Sequence, residues 1–212
     1  MKKIFLTVLT TVGFLAQAQL IHFGVRANAL FSTSSSSWKD ISNTAKGAFQ
    51  NPKDATGFNV GLSAKINFPV TSFFVMPEIY YTNYSNKISY SSPAVPEQNG
   101  TVELSAKTNR VDIPVLLGYN IVQPLSAFIG PVFSTDLSGK NTFKDFKEEE
   151  KKDFSVGYQF GANLNLSNFI INARYEGSLS KDQRKFVNSV SNQEINYDNR
   201  PSFFIVGLGY NF

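Results

Sequence analysis

The stretch that decides the fold is Phe204-Ile205-Val206-Gly207-Leu208-Gly209-Tyr210-Asn211-Phe212. Successive side chains of an extended strand point to opposite faces, so this stretch divides into two faces. The apolar face carries Phe204, Val206, Leu208, Tyr210 and Phe212. The other face carries Ile205, Gly207, Gly209 and Asn211, which are mostly small. The alternation predicts a strand with one face against an apolar medium, which is either a protein core or lipid.

Seven further segments alternate with the same period over the length that a tilted strand needs to cross a bilayer, about 9–11 residues or slightly more. They are 21–31, 58–68, 73–84, 110–119, 125–134, 154–166 and 171–179. The phase of 125–134 stays open, because nearly all of its residues are apolar. Lipid cannot satisfy the edges of an open sheet, so strands that span a membrane must close into a barrel. The pattern predicts an all-β fold, an eight-stranded antiparallel transmembrane up-and-down β-barrel.

Short and long connections alternate strictly between these segments. The short ones are 69–72, 120–124 and 167–168, and the long ones are 32–56, 83–101, 135–153 and 180–200. Outer-membrane barrels have short periplasmic turns and long extracellular loops. A soluble sandwich or lipocalin shares the alternating faces and is the rival architecture. The loop order, the strand lengths and the Gly, Ser and Asn of the polar face favour the membrane barrel.

The N-terminal segment has the features of a secretory signal peptide. Lys2 and Lys3 precede the apolar stretch 4–15, and the small residues of Ala16-Gln17-Ala18 follow as a cleavage site. The apolar stretch is too short for a membrane-spanning helix, which needs about 20 residues. We therefore expect a signal peptide at 1–18 and one β-barrel domain at 19–212, exported to the bacterial outer membrane.

The composition argues against a nucleic-acid-binding protein and against a disulfide-stabilised one. The precursor carries 20 Lys and Arg against 16 Asp and Glu, a net charge of +4, and removal of Lys2 and Lys3 leaves +2. This balance argues against a nucleic-acid partner. Cysteine is absent, so disulfides contribute nothing to stability. The aromatic content of 14% is expected where aromatic belts lie at both membrane interfaces.

Charged side chains on the polar face are predicted to lie in the lumen of the barrel. They are Arg26, Lys65, Glu78, Arg110, Asp112, Arg174 and Glu176. They are expected at the same or neighbouring heights, and Glu78 and Asp112 are candidates for cross-strand or diagonal pairing with Arg110. The interior of an eight-stranded barrel is just wide enough for side chains to fill. This favours a salt-bridged plug, and an ion-conducting or gated path is the alternative.

Catalytic and metal sites are not indicated. His22 is the only histidine, and it is predicted at the periplasmic end, far from the outer leaflet where a lipid-modifying enzyme would act. An aspartyl-protease-like barrel would need paired acidic residues on its extracellular rim. The loop candidates are Asp136, Asp153 and Asp198, and their interpretation as solvated loop carboxylates is preferred. No clustered His and carboxylate spacing suggests a metal site. We expect no catalytic residue, no cofactor and no metal.

The long connections carry three further predictions. The mixed-charge segment 140–152 indicates a solvated strand extension or short helix, with a partner-binding surface as the alternative. The serine run 32–37 indicates a flexible loop, and Trp38 is a candidate interfacial anchor. The candidate upper aromatic belt is Tyr80, Tyr81, Tyr84 and Tyr90, and the candidate lower belt is Phe68, Phe73, Tyr119, Tyr210 and Phe212.

Five short motifs in this order resemble the PorT-like outer-membrane β-barrel family, within the small OmpA/OmpX-like barrels. They are Gly24-Val25-Arg26-Ala27-Asn28, Met76-Pro77-Glu78-Ile79-Tyr80-Tyr81, Val111-Asp112-Ile113-Pro114-Val115-Leu116, Arg174-Tyr175-Glu176-Gly177-Ser178-Leu179 and Gly207-Leu208-Gly209-Tyr210-Asn211-Phe212. The family usually has Gln where Met76 stands and often Glu where Asp112 stands, so the lumen network is expected to be thinner here.

The resemblance implies an eight-stranded barrel, in a family of mostly unassigned function whose founding member assists a secretion system for surface proteins. It also implies that Phe204, Val206, Leu208, Tyr210 and Phe212 form the signal that the barrel-assembly machinery recognises. We expect a non-enzymatic outer-membrane barrel with a side-chain-filled lumen. Its extracellular loops would serve adhesion, partner binding or assistance of surface-protein export. A narrow porin or transport channel is the alternative, followed by a lipid-modifying enzyme.

Overall fold

A computed structural model describes residues 20–33, 37–51, 56–91, 101–137, 142–143, 146–151, 154–180, 183–188, 194–198 and 202–212. The predicted signal peptide at 1–18 lies outside the described residues and stays a prediction. So do the domain bounds that depend on it.

One α-helix and twelve β-strands make up the regular structure of the described residues. They are β1 (Ile21–Thr33), α1 (Trp38–Gln50), β2 (Gly57–Asn67), β3 (Phe73–Ser91), β4 (Thr101–Val122), β5 (Leu125–Asp136), β6 (Thr142–Phe143), β7 (Phe146–Lys151), β8 (Phe154–Leu166), β9 (Phe169–Ser178), β10 (Gln183–Asn188), β11 (Glu194–Asp198) and β12 (Ser202–Asn211). Eight of the strands form a closed barrel in the order β1-β12-β9-β8-β5-β4-β3-β2. Every neighbouring pair is antiparallel, so the predicted fold class is confirmed.

The closing strand β12 lies between β1 and β9. Its register against β1 runs from Phe204 opposite Phe31 to Asn211 opposite Gly24. Pairing between the first and last strands removes both edges of the sheet. An apolar wall can therefore face lipid without unpaired backbone groups.

The two faces of the strands have the predicted orientation. Phe23, Leu62 and Ile129 point outward and are 58–61% exposed. In β5, Ser126 and Val132 are buried in the interior, which settles the phase that the sequence left open. The sequence was ambiguous because some inward positions of this barrel, Val132 among them, are themselves apolar.

Glycines on the inner face make room for large neighbours. A Cβ on Gly209 would clash with the Arg26 guanidinium, and one on Gly118 would clash with the Phe74 ring. The small residues of the polar face therefore reflect crowding in the interior, where large side chains need small ones opposite them.

The short connections lie at one end of the barrel, at residues 68–72, 123–124 and 167–168, as predicted. Val70 and Ser167 have φ angles of 62° and 57°. The left-handed region is costly for residues with a Cβ, above all for a β-branched residue such as Val70. This end is called the short-turn end below, and the opposite end the long-loop end.

The first long connection contains α1, which the sequence did not predict. The flexible loop was predicted for residues 32–37, of which Ser32 and Thr33 belong to β1 and Ser37 caps α1, while 34–36 lie outside the described residues. The Ser37 hydroxyl caps the helix by accepting a hydrogen bond from the Asp40 backbone N–H at 3.3 Å. Ile41 and Ala48 of α1 pack on the outer wall of the barrel. There the helix covers the side chains of Phe31, Tyr175 and Phe204. Because Ser37 is the last of several serines in a row, the sequence did not indicate which of them begins a helix.

The second long connection is shorter than predicted, because β3 and β4 continue as a paired hairpin to Ser91 opposite Thr101. The third alternating segment was expected to end near Tyr84. The backbone pairing of the two strands continues beyond that point.

The third and fourth long connections form a second, four-stranded sheet in the order β11-β10-β7-β6. Over its described residues, the mixed-charge segment 140–152 therefore forms the two paired strands β6 and β7. Strand β7 pairs with β10, so two connections that are distant in sequence join at the long-loop end.

Aromatic side chains ring the outer wall at the short-turn end. The rings of Phe73 and Tyr119 lie 5.0 Å apart, and Tyr210 lies 5.9 Å from Phe212. The upper belt was partly wrong, because Tyr80 and Tyr84 are buried inside the barrel. Both have even numbers in β3 and share the inward face of Glu78.

Within the described residues, no helix has both the length and the apolar character that a membrane crossing needs.

Candidate functional site

The inner face of the barrel brings six of the predicted charged residues together. Arg26 comes from β1, Glu78 from β3, Arg110 and Asp112 from β4, and Arg174 and Glu176 from β9. Each occupies an inward position of its strand, and all six are at most 3% exposed. A charge at this burial needs a partner of opposite sign, because water no longer solvates it.

The first charge group is centred on Glu78. Its Oε2 lies 2.6 Å from Arg174 Nη1, and its Oε1 lies 3.8 Å from Arg26 Nε. Since β3 and β9 are not adjacent in the barrel, the pair between Glu78 and Arg174 crosses the lumen.

The second charge group is centred on Arg110. Its Nε lies 2.8 Å from Asp112 Oδ1, and its Nη2 bonds to Glu176 Oε1. The Thr82 hydroxyl donates a hydrogen bond to Asp112. This group lies nearer the long-loop end, because Arg110 is opposite Thr82, four residues beyond Glu78.

One carboxamide, that of Gln159, joins the two charge groups, and a second extends the first group. Gln159 donates from Nε2 to Glu176 at 2.8 Å and accepts from Arg174 Nη1 at 3.3 Å. Asn172 accepts from Arg174 Nε at 3.1 Å. The sequence did not single out Gln159 or Asn172. Their inward positions beside charged residues are the sequence feature that could have identified them.

The six residues of the two charge groups form one network, called the lumen network: Arg26, Glu78, Arg110, Asp112, Arg174 and Glu176. It has no net charge, because its three arginines are balanced by three carboxylates, all of them buried. A network without net charge avoids the cost of an isolated charge at low dielectric.

Two apolar layers enclose the network. The outer layer consists of Leu30, Tyr84, Phe203 and Ile205 at the long-loop end. The lower layer consists of Phe74, Met76, Leu116 and Phe128 towards the short-turn end. The Arg110 guanidinium lies 5.3 Å from the Tyr84 ring centre, and that of Arg174 lies 5.0 Å from the Phe128 ring centre. Ionised groups are thus packed directly against both layers.

Two predictions about the lumen network were wrong. Lys65 lies outside it, because its Nζ donates to Asn120 Oδ1 at 3.0 Å and stands 4.1 Å from the Phe74 ring centre. The lower layer therefore separates Lys65 from the arginines. Glu78 pairs with Arg26 and Arg174 instead of Arg110, since pairing across the lumen replaces diagonal pairing along the sheet.

Below the lower layer, the lumen opens into a cavity of about 700 Å³ at the short-turn end. His22 and Lys65 line this cavity together with carboxamide side chains. The lumen therefore has a filled half and an open half.

The model of the outer membrane protein beta-barrel domain family matches residues 16–181, well over half of the sequence. The chain belongs to this family. It is a bacterial outer-membrane protein, and its apolar outer wall contacts lipid.

Several solved outer-membrane proteins are similar to this chain at low sequence identity. OprG from Pseudomonas aeruginosa is 11% identical over 91% of this chain and 94% of that chain, with a TM-score of 0.49. Ail from Yersinia pestis, in a phospholipid bilayer nanodisc, is 12% identical over 90% and 99%, with a TM-score of 0.45. Outer Membrane Protein W of E. coli is 12% identical over 90% and 97%, with a TM-score of 0.44. No curated protein matches the sequence. At these values the similarity carries no argument about function.

Family membership orients the molecule in the membrane. Short turns of outer-membrane barrels are periplasmic and long loops are extracellular. The open half of the lumen therefore faces the periplasm. The outer layer and the sheet of β6, β7, β10 and β11 lie towards the cell exterior.

The alternating face of β12 lies on the outer wall as expected. Leu208, Tyr210 and Phe212 are exposed to lipid, and Val206 is partly buried. Phe204 is covered by α1. Recognition of these five residues by the barrel-assembly machinery stays a prediction.

The candidate catalytic residues are dispersed. His22 lies at the periplasmic end, where its Nδ1 is 3.3 Å from the Asn67 amide nitrogen. Asp136 ends β5 and Asp198 ends β11, while Asp153 lies outside the described residues. Over the described part of the chain, no group of three His, Cys, Asp or Glu side chains is arranged to hold a metal ion.

Proposed function

We propose that this protein is a non-enzymatic outer-membrane barrel that presents its extracellular sheet to a protein partner. The observation that carries the proposal is the filled half of the lumen. A barrel closed in this way has its outer surface and loops, and not a pore, available for function.

The filled half argues against conduction on energetic grounds. An ion that crosses the network must separate the pairs of Glu78 and Arg110, and breaking one buried pair costs about 3–5 kcal/mol. It must also pass the outer and lower layers, whose apolar side chains do not replace its hydration shell.

The extracellular sheet supports partner binding through its backbone. Strand β11 lies at one edge of the sheet and pairs with β10 only, among the described strands. An edge strand offers unpaired N–H and C=O groups, to which an extended segment of another protein can add. Such a surface would serve adhesion or the assistance of surface-protein export. The second role is the one that the PorT-like resemblance implies.

A paired deletion experiment tests this function. Removal of residues 183–198 eliminates β10 and β11, and the control shortens the β3–β4 hairpin by removing residues 86–106. Both barrels should keep their heat-modifiable mobility on a gel. After crosslinking of whole cells, we expect an outer-membrane or surface protein to co-purify with the parent barrel and with the control, and to be lost in the first deletion. Undiminished partner recovery after the first deletion would contradict the proposal.

A narrow channel is the second candidate, and the observation in its favour is the periplasmic cavity, which leads part of the way through the barrel. It requires the network to open. Steady conductance that changes on substitution of Arg26 or Glu78 would support it.

The lipid-modifying enzyme is the weakest candidate. His22 lies at the opposite end of the barrel from the outer leaflet. An unaltered lipid profile in a His22→Ala strain is the expected result, and a changed profile would revive this candidate.

A further inference from the structure

The periplasmic cavity has a polar wall with a single lysine. Its carboxamides come from Asn67, Asn120, Gln123, Asn165 and Asn211, and its cation is Lys65. No acidic residue is among the described residues that line it. Its volume of about 700 Å³ falls within the range of small-molecule sites, about 300–1,000 Å³.

The charge of Lys65 is not compensated. Its Nζ donates one hydrogen bond to Asn120 and rests on the Phe74 ring. A lysine ammonium carries three donors, so two remain. The lumen network already balances its own charges, and no carboxylate among the described residues lies within ion-pair distance of Lys65. The cavity therefore has a positive potential that favours an anion.

The carboxamides define the rest of the ligand. Each carries donors on its nitrogen and an acceptor on its oxygen, which suits hydroxyl and amide groups. Asn165 is held in place by hydrogen bonds from its Nδ2 to Pro124 O at 3.0 Å and Ser126 Oγ at 3.2 Å. The Oδ1 of Asn165 takes part in neither of these two hydrogen bonds. A strongly apolar ligand would leave such groups unpaired and bind poorly.

We propose that the periplasmic cavity binds a small carboxylate whose body carries hydroxyl or amide groups. The carboxylate pairs with Lys65, and the carboxamide wall hydrogen-bonds the body. Acidic sugars and short acidic peptides share this chemistry. The site is independent of the extracellular sheet, so its test is separate from the test of partner binding.

Calorimetric titration of the full barrel in lipid nanodiscs tests the site. The probes are glucuronate for sugars and acetyl-alanyl-glutamate for peptides, with glucose and acetyl-alanyl-glutamine amide as neutral counterparts. We expect saturable binding of at least one carboxylate. Lys65→Gln should weaken it by about tenfold or more, as for the loss of a charge-assisted hydrogen bond. Lys65→Arg should retain it.

The matched control is Lys107→Gln, which removes an exposed lysine from β4 far from the cavity and should leave binding unchanged. Binding of the sugar alone or of the peptide alone supports the proposal and identifies the source of the ligand. It is overturned if neither carboxylate saturates, if the neutral counterparts bind equally well, or if Lys65→Gln binds as the parent does. Heat-modifiable mobility of each variant establishes that the barrel is folded.

Discussion

The two halves of the lumen are built from the same eight strands, yet one is filled and the other is open. In the filled half, six charges balance one another between two apolar layers. In the open half, Lys65 faces a cavity without a carboxylate among the described residues. The filled half is suited to closing the barrel and stabilising it. The open half leaves an unpaired charge accessible from the periplasm.

Removal of one carboxylate from the filled half should have the largest effect. Glu78→Gln leaves Arg26 and Arg174 without their shared partner and should lower the free energy of unfolding by about 3–5 kcal/mol. Lys65→Gln in the open half should change it by less than about 0.5 kcal/mol. Urea unfolding in lipid vesicles, followed by gel mobility, measures both.

A double variant checks the cause of that loss. Glu78→Gln with Arg174→Gln removes both members of the shorter of the two Glu78 pairs, so it should be more stable than Glu78→Gln alone. Equal losses in Glu78→Gln and Lys65→Gln would contradict the difference between the halves.

The two apolar layers should respond differently to truncation. Phe203→Ala in the outer layer should cost about 3–5 kcal/mol, because the new cavity is enclosed. Phe74→Ala should cost less, since its site borders the open cavity and water can fill the space. The same unfolding measurement compares the two variants. A larger loss for Phe74→Ala would show that the lower layer, and not the outer layer, is the enclosed one.

The outer wall near the long-loop end is covered by α1, and its docking should depend on Ile41. Ile41→Asp places a charge in the cluster with Phe31 and Phe204 and should cost about 2 kcal/mol. Trp38 is the only tryptophan, so its fluorescence reports directly on α1. Asn43→Asp on the exposed side is the control. Unchanged Trp38 emission in Ile41→Asp would show that the helix is not held by this cluster.

The smallest effect is expected at the periplasmic turns. Val70 has a positive φ and is fully exposed, so Val70→Asn should stabilise the barrel by about 1 kcal/mol. Val122→Asn is an exposed control without this backbone conformation. Equal effects of the two substitutions would argue against strain at Val70.

Much of the barrel was predictable, because alternation and loop order follow directly from a strand between lipid and a crowded interior. Arg26, Glu78 and Arg174 were correctly placed inside for the same reason. Their partners were not predictable, since the contact between Glu78 and Arg174 crosses the lumen and depends on the closed shape of the barrel. Lys65 has the same inward alternation as Arg26, and only the position of Phe74 separates the two.

The structure of the long connections was least predictable. The helix α1 is held by the outer wall, so its apolar residues could be recognised only together with Phe31 and Phe204. The pairing of β7 with β10 joins two connections that are separated by two barrel strands in sequence. Neither segment has an apolar alternation of its own that predicts the partner.

Planar-bilayer recording of the purified barrel tests the closed lumen most directly. The filled half predicts no steady conductance for the parent protein and a leak in Glu78→Gln with Phe203→Ala, where one charge pair and the outer layer are both weakened. A steady current through the parent barrel that changes when Arg26 or Glu78 is substituted would contradict the closed lumen.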